Sequence, residues 1–178
     1  MWFSLFLLAI LFCLLAILSF IWPPDSPWSP RWRTKRKVAR EVLKFVNLSK
    51  KDVLYELGSG DGEVVLSAVQ DFGAKAVGIE IDPVRYLVSV IRVWLARLEN
   101  EIKLIRKDFK KVNLSSATVV YLYLVPAGMA RLLPQFKKEL KKGTLVISYR
   151  YEVPHSDKSP LKLFKKDMKN GYFVYKII

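Results

Sequence analysis

Residues Val53-Leu54-Tyr55-Glu56-Leu57-Gly58-Ser59-Gly60-Asp61-Gly62 constrain this chain more than any other stretch. A short apolar run ends in three glycines at alternate positions and passes directly into helical sequence. A parallel strand that turns sharply into a helix beside a ligand reads this way. Glycine serves such a turn because it accepts positive φ and lets backbone approach a ligand with no Cβ between. Further on, Val77-Gly78-Ile79-Glu80 reads as a second strand ending in an acid. A carboxylate at that tip can accept two hydrogen bonds from a ribose diol. The glycines alone would also serve a tight turn with no ligand, but that leaves Glu80 unexplained. Together they specify a bound nucleoside.

The spacing narrows which nucleoside. Dinucleotide sites use G-x-G-x-x-G, whose third glycine lies close to the helix axis. Here Gly58-x-Gly60-x-Gly62 is followed by Glu63, and an anionic side chain at a helix start would repel a pyrophosphate. Glu56-x-Gly58-x-Gly60-x-Gly62 resembles motif I of the class I S-adenosylmethionine methyltransferases. The resemblance implies S-adenosyl-L-methionine as cofactor. Its amino-acid end replaces the pyrophosphate, so an acidic loop is tolerated.

The N-terminus carries the second constraint. Residues Trp2–Trp22 contain no charged side chain, and Ser4 and Ser19 are their only hydroxyls. About 21 apolar residues at ~1.5 Å each span roughly 30 Å, the thickness of a bilayer core. A signal peptide would show a basic start and a small-x-small cleavage site; neither is there, and Trp22-Pro23-Pro24 is a poor place to cut. The expectation is an uncleaved transmembrane anchor over 1–22. After it come Arg31, Arg33, Lys35, Arg36, Lys37 and Arg40, so by the positive-inside rule the remainder faces the cytoplasm. Trp22, Trp28 and Trp32 suit the interface belt.

A formal charge of +14 over 178 residues admits nucleic acid, anionic lipid or an acidic protein as partner. For the basic run at 31–40, held near a membrane, lipid is the simplest. The lysines at Lys137, Lys138, Lys141 and Lys142, and at Lys162, Lys165, Lys166 and Lys169, read as solvated faces. One cysteine, Cys13, and one histidine, His155, build neither a disulfide framework nor a metal centre. No metal is expected.

In chain order, Pro23–Pro30 within residues 23–33 reads as a stiff extended linker. Thr34 offers an N-cap to a first helix, whose Val38, Val42, Leu43, Phe45 and Val46 recur at helical spacing. Strand one is expected at Asp52–Leu57, a helix at Glu63–Phe72 closed by Gly73, and strand two at Lys75–Ile81. Asp82-Pro83 starts the helix Val84–Leu98 with a cap and a proline at N1; Arg85, Arg92 and Arg97 mark its wetter side. Strand three follows at Glu101–Arg106, strand four at Thr118–Val125, a helix at Pro126–Leu140 and strand five at Thr144–Tyr151. Short strands near Leu161–Lys165 and Tyr172–Ile178 flank the hairpin signal Lys169-Asn170-Gly171. This predicts an α/β, doubly wound, Rossmann-like seven-stranded methyltransferase sheet with an antiparallel C-terminal edge, occupying 34–178.

Tyr55–Gly62, Gly78-Ile79-Glu80, Arg106-Lys107-Asp108-Phe109 and Ser148–Pro154 fall in order at close spacing. Together they resemble a small family of protein-lysine methyltransferases. Its members include archaeal broad-specificity enzymes and the membrane-anchored enzymes that methylate the adenine nucleotide translocase and the c-type ring protein of ATP synthase. The resemblance implies that Glu56, Gly58, Ser59, Gly60 and Gly62 line the methionine end of the cofactor. It places Glu80 on the ribose, Ile81 against the adenine, Asp108 at the adenine amino group and Phe109 beside the ring. Thr34 would help close the site. Plainer roles exist for two of these: Asp108 as a turn cap and Thr34 as an N-cap. The family often carries an arginine after motif I where this chain has Glu63, and a histidine after strand five where it has Tyr149.

The chemistry implied is in-line methyl transfer, which asks the protein mainly for positioning. Tyr121, Tyr123 and Tyr149 end strands four and five. Tyr123 and Tyr149 are the expected walls of a lysine channel, while Tyr121 could serve simply as core. A desolvated aromatic slot lowers an amine's pKa, and its ring faces can hold a cation. A protein substrate at the membrane is the leading partner. A lipid or small lipophilic acceptor is the alternative, and RNA a third, disfavoured because Leu124-Val125-Pro126 lacks the Asn/Asp-Pro-Pro-aromatic signature of nucleobase amino methylation. A tethered cofactor-binding protein without turnover is a reading of a different class.

Overall fold

The computed structural model describes residues 2–21, 33–154 and 159–178, with side chains of the first segment described over 4–14. Its strands are β1 (Val53–Leu57), β2 (Lys75–Glu80), β3 (Ile102–Arg106), β4 (Val119–Leu122), β5 (Leu145–Tyr149), β6 (Leu161–Asp167) and β7 (Tyr172–Ile177). They form one seven-stranded sheet in the order β3-β2-β1-β4-β5-β7-β6. The first five are parallel; β7 runs antiparallel to both β5 and β6. The order reverses between β1 and β4, and an open α/β sheet binds its ligand at the strand ends beside such a reversal.

The helices are α1 (Trp2–Ile21), α2 (Arg36–Phe45), α3 (Glu63–Phe72), α4 (Pro83–Leu95), α5 (Pro126–Ala130) and α6 (Leu133–Glu139). Ala39, Val42 and Leu43 of α2 and Val64, Val65 and Ala68 of α3 pack with Leu54, Val119 and Ile147 on one face of the sheet. Met129, Leu132 and Phe136, from the α5–α6 segment, cover Leu57, Val120, Leu122 and Val146 on the other. Strand alternation sends successive side chains to these two layers. The central strands β1 and β4 are covered on both faces, hence their largely apolar sequence.

Three boundaries differ from the sequence expectation, each for a local reason. The helix expected over Pro126–Leu140 is two helices, because Pro134 sits in the first turn of α6 and cannot continue a helix from its N-terminal side. Strand five stops at Tyr149, because Arg150 adopts a left-handed φ of 73°. The first helix has Lys35 as its N-cap residue, with no side-chain cap; Thr34 uses its hydroxyl elsewhere. Gly73 closes α3 in the left-handed conformation, and Asp82 caps α4 by accepting from the Val84 and Arg85 amides, both as the sequence predicts.

α1 is a helix of 20 residues where the anchor was expected. Yet among the described residues no helix is long and apolar enough to cross a membrane. The side chains described, 4–14, account for roughly 16 Å of helix, about half a bilayer core. The expected transmembrane span over 1–22 is therefore not shown by the fold. The 23–33 linker, apart from Arg33, and Trp22, Trp28 and Trp32 lie outside the described residues.

Candidate active site

The loop after β1 is folded onto the tip of β2. The Gly58 and Ser59 amides both donate to the Ile79 carbonyl, at 2.8 and 2.9 Å. Gly58, Gly60 and Gly62 have φ of 82°, 54° and 81°. A Cβ built on Gly58 or Gly60 meets nothing within 4 Å, so these two positions open on clear space rather than on packed protein. Gly78 is the opposite case. A Cβ there would lie 2.9 Å from both Leu104 and the Ser59 hydroxyl, so its lack of a side chain lets the loop close onto β2.

Carboxylates surround this cradle. Glu80, 7% exposed, accepts from the Gly60 amide at 2.7 Å with one oxygen and from the Asp82 amide at 2.8 Å with the other. Each oxygen has a further lone pair, so a ribose diol can still bind. Glu56, 5% exposed, accepts from the Val65 amide in the first turn of α3 at 3.2 Å. Burial pushes its pKa well above the ordinary carboxylate range; the Val65 bond opposes this, while Asp61, Glu80 and Glu63 push the same way. A cation beside Glu56 would restore its charge. The buried Ser59 hydroxyl has no partner among the described residues. Open glycines, an orphaned hydroxyl and clustered carboxylates fit a nucleoside with a cationic amino-acid end.

Glu63 does not point its charge at the ligand. Arg92 of α4 donates to it at 2.7 Å and to the Asp61 carbonyl at 2.7 Å, and its guanidinium lies 3.2 Å from the Asp61 carboxylate. Arg33 pairs with Asp61 at 2.7 Å. Two arginines from outside the motif thus balance the loop's acids. Arg92 faces the loop, so the wetter side read into α4 from its arginines is, at this residue, a clamp.

Of the remaining expected residues, Ile81 stands 60% exposed beside Glu80, where an adenine face could lie. Asp108 accepts from the Lys110 amide at 3.0 Å and caps a short 3-10 turn, Phe109–Lys111. That is the plainer role; the cap leaves its other oxygen 3.6 Å from Lys110 Nζ. Phe109 is half-buried against the sheet's second core layer. Thr34, buried, shares a 3.1 Å hydrogen bond with the Tyr121 hydroxyl.

Beyond the cradle, the ends of β4, β5 and β7 assemble an aromatic cluster. Tyr123 and Tyr149 meet edge to face with centroids 4.7 Å apart. Tyr149 lies 5.9 Å from Tyr172, its partner in the β5–β7 register. Arg150 holds its guanidinium 5.4 Å over the Tyr149 ring, while its amide donates to the Gly171 carbonyl at 2.7 Å. Tyr121 is core, 1% exposed. Sequence reasoning missed Tyr172 and Glu41, whose carboxylate accepts from the Tyr172 hydroxyl at 3.2 Å. Burial raises the pKa of Tyr121, Tyr123 and Tyr172, so all three are phenols at neutral pH and none can act as a base there.

A family described as the ANTKMT methyltransferase domain matches residues 56–159. A protein-lysine N-methyltransferase of Saccharolobus islandicus is 35% identical over 124 residues, covering 69% of this chain and 75% of that protein. The adenine nucleotide translocase lysine N-methyltransferase of Mus musculus is 33% identical over 112 residues, 61% of this chain and 48% of its own. A lysine N-methyltransferase of Xenopus laevis, named for the c-type ring protein of ATP synthase, is 30% identical over 115 residues and 47% covered. This chain spans about half the length of those two animal relatives. Among solved structures, an RNA methyltransferase from Salinibacter ruber, bound to S-adenosyl-L-homocysteine, superposes with a TM-score of 0.70 at 32% identity. The match covers 82% of this chain and 92% of that one. With the glycine cradle, the ribose carboxylate and these relatives in agreement, the chain belongs to the ANTKMT methyltransferase family and is an S-adenosyl-L-methionine-dependent methyltransferase.

Proposed function

We propose that the methyl acceptor is a lysine side-chain amine of a protein. The observation that carries this is the aromatic cluster of Tyr123, Tyr149 and Tyr172 at the strand ends next to the cradle. Relatives named as protein-lysine methyltransferases support it. Bound S-adenosyl-L-methionine supplies a methyl group on a positively charged sulfur. Gly58 and Gly60 give it backbone to lie against, Glu80 fixes the ribose, and Glu56 balances the positive amino-acid end. Tyr123 and Tyr149 exclude water from the line of approach. Their desolvation favours the neutral amine on entry, and their ring faces favour the more weakly hydrated methylated cation afterwards. The protein's part is alignment and dryness.

The membrane belongs to this proposal as well. α1 has no charged side chain over Trp2–Ile21, and the basic residues from Arg31 to Arg40 follow it. We infer a single-pass anchor with the catalytic domain cytoplasmic and an acceptor in the same membrane. The proline linker spans at most about 25 Å, so the domain would work in a thin shell above the bilayer. RNA is the second reading, favoured by the Salinibacter relative's description and by the charge of +14. Incubating the protein with labelled cofactor, a membrane fraction, lipid extract and RNA separates them. Label on lysine supports the proposal; label in lipid or RNA overturns it. Deleting residues 1–24 should spare a soluble lysine peptide and sharply slow the membrane target.

A further inference from the structure

The sheet-facing side of α4 buries Ser89 and Val93. The opposite side is the more apolar one. Val84, Leu87, Val88, Ile91, Trp94 and Leu95 are all exposed, Trp94 to 63% and Leu95 to 68%. Their spacing of three and four places them on one stripe, roughly 16 Å long at ~1.5 Å per residue. An ordinary surface helix of an α/β domain has the reverse pattern, polar outward. The stripe stays exposed although α1 touches α4, and α1 itself presents exposed Leu5, Phe6, Leu8, Leu11 and Phe12.

The charges beside the stripe select its occupant. Between Pro83 and Leu98 there is no acidic residue, while Arg85 and Arg97 flank the apolar side; Arg92 is engaged by the glycine loop. A helix with one apolar face, basic flanks and a tryptophan near its end has the composition of one that lies in a membrane interface and meets anionic headgroups. We propose that α4 docks flat on an anionic bilayer leaflet as a second membrane contact, independent of α1. Ile81 and the Glu80 carboxylate immediately precede α4, so this contact would hold the cofactor cradle at a fixed height and tilt above the lipid. α1 alone would leave the domain free to swivel on its linker.

The test is spin-label depth measurement on the full chain in vesicles of phosphatidylcholine and phosphatidylglycerol. Labels are placed by Leu87→Cys, Ile91→Cys and Leu95→Cys in a Cys13→Ser background, with Lys138→Cys on the far face as reference. Calorimetric cofactor binding confirms that each variant is folded. The α4 labels should collide with oxygen, which concentrates in lipid, severalfold more than with a water-soluble nickel chelate; Lys138→Cys should show the reverse. In purely zwitterionic vesicles the contrast at α4 should fall. α4 labels that stay in water overturn the proposal. Labels shielded from both reagents also overturn it, since α1 or a second copy then covers the face. An undiminished contrast without anionic lipid removes the role of Arg85 and Arg97. The inference stands apart from the α1 anchor, because a label on native, exposed Cys13 reports α1 separately. Inserted Cys13 with α4 in water spares the anchor and sinks this proposal; the opposite result does the reverse.

Discussion

The two halves of the site are built from different materials. On the cofactor side, β1, β2 and the loop between them hold their groups by short, charge-assisted bonds: Gly60 and Asp82 amides on Glu80, Arg92 and Arg33 on Asp61 and Glu63. On the acceptor side, the ends of β4, β5 and β7 contribute rings that touch by edges and faces. The first half is directional and loses much when one partner is removed. The second tolerates adjustment, and its rings contribute about 0.5–1.5 kcal/mol per aromatic pair beyond area burial. Cofactor recognition should therefore be brittle, and acceptor recognition graded.

Glu80→Ala is the sharpest test of brittleness. It removes the ribose acceptor and the partner of two loop amides, so cofactor affinity should fall by about 1.5–3 kcal/mol, or roughly ten- to a hundredfold. Titration calorimetry on the folded variant reads this, and unchanged affinity would take Glu80 out of the site.

Glu56→Gln should cost about tenfold in affinity, through loss of the carboxylate that balances the cofactor's cation. Its effect on the free protein has the opposite sign. Because burial raises the Glu56 pKa in the folded state, the folded protein holds that proton more tightly than the unfolded chain. The wild type loses this contribution as pH rises from the ordinary carboxylate range through the raised value. Melting curves should show the variant gaining on the wild type toward neutral pH, and the two converging in acid.

On the acceptor side, Tyr149→Ala should slow methylation of a lysine peptide by about tenfold, near one lost cation–π contact or ring pair, while cofactor affinity stays within error. A matching loss of cofactor binding would merge the two halves into one. The smallest effect is expected from Thr34→Val, which takes away the Tyr121 hydroxyl's partner and should destabilise by about 1 kcal/mol in denaturant titration.

The same division explains what could be read in advance. The cofactor half is local. Glu56, the glycines and Glu80 lie on two consecutive strands, and glycine at positive φ leaves a spacing visible in the chain. The sheet order followed from strand–helix alternation, because right-handed crossovers leave few other topologies. Tyr172 was invisible, since it joins Tyr149 only through the antiparallel register of β7, and no local pattern encodes a register between distant strands. Arg92 was legible as a charge but not as the clamp on Asp61 and Glu63, because the contact is made between α4 and a loop some thirty residues earlier. Pro134 marks the break between α5 and α6 by the same rule that lets Pro83 mark the start of α4.

Arg150 has a consequence for anyone who tries to make this protein hardier. A left-handed conformation costs a non-glycine residue roughly 1–2 kcal/mol, and Arg150 sits there at φ 73°. Any rational search for a more heat-resistant variant would nominate Arg150→Gly early. That change would also strip the guanidinium from the Tyr149 ring, at the mouth through which an acceptor must pass. Selection for endurance and selection for turnover would thus pull on the same codon in opposite directions.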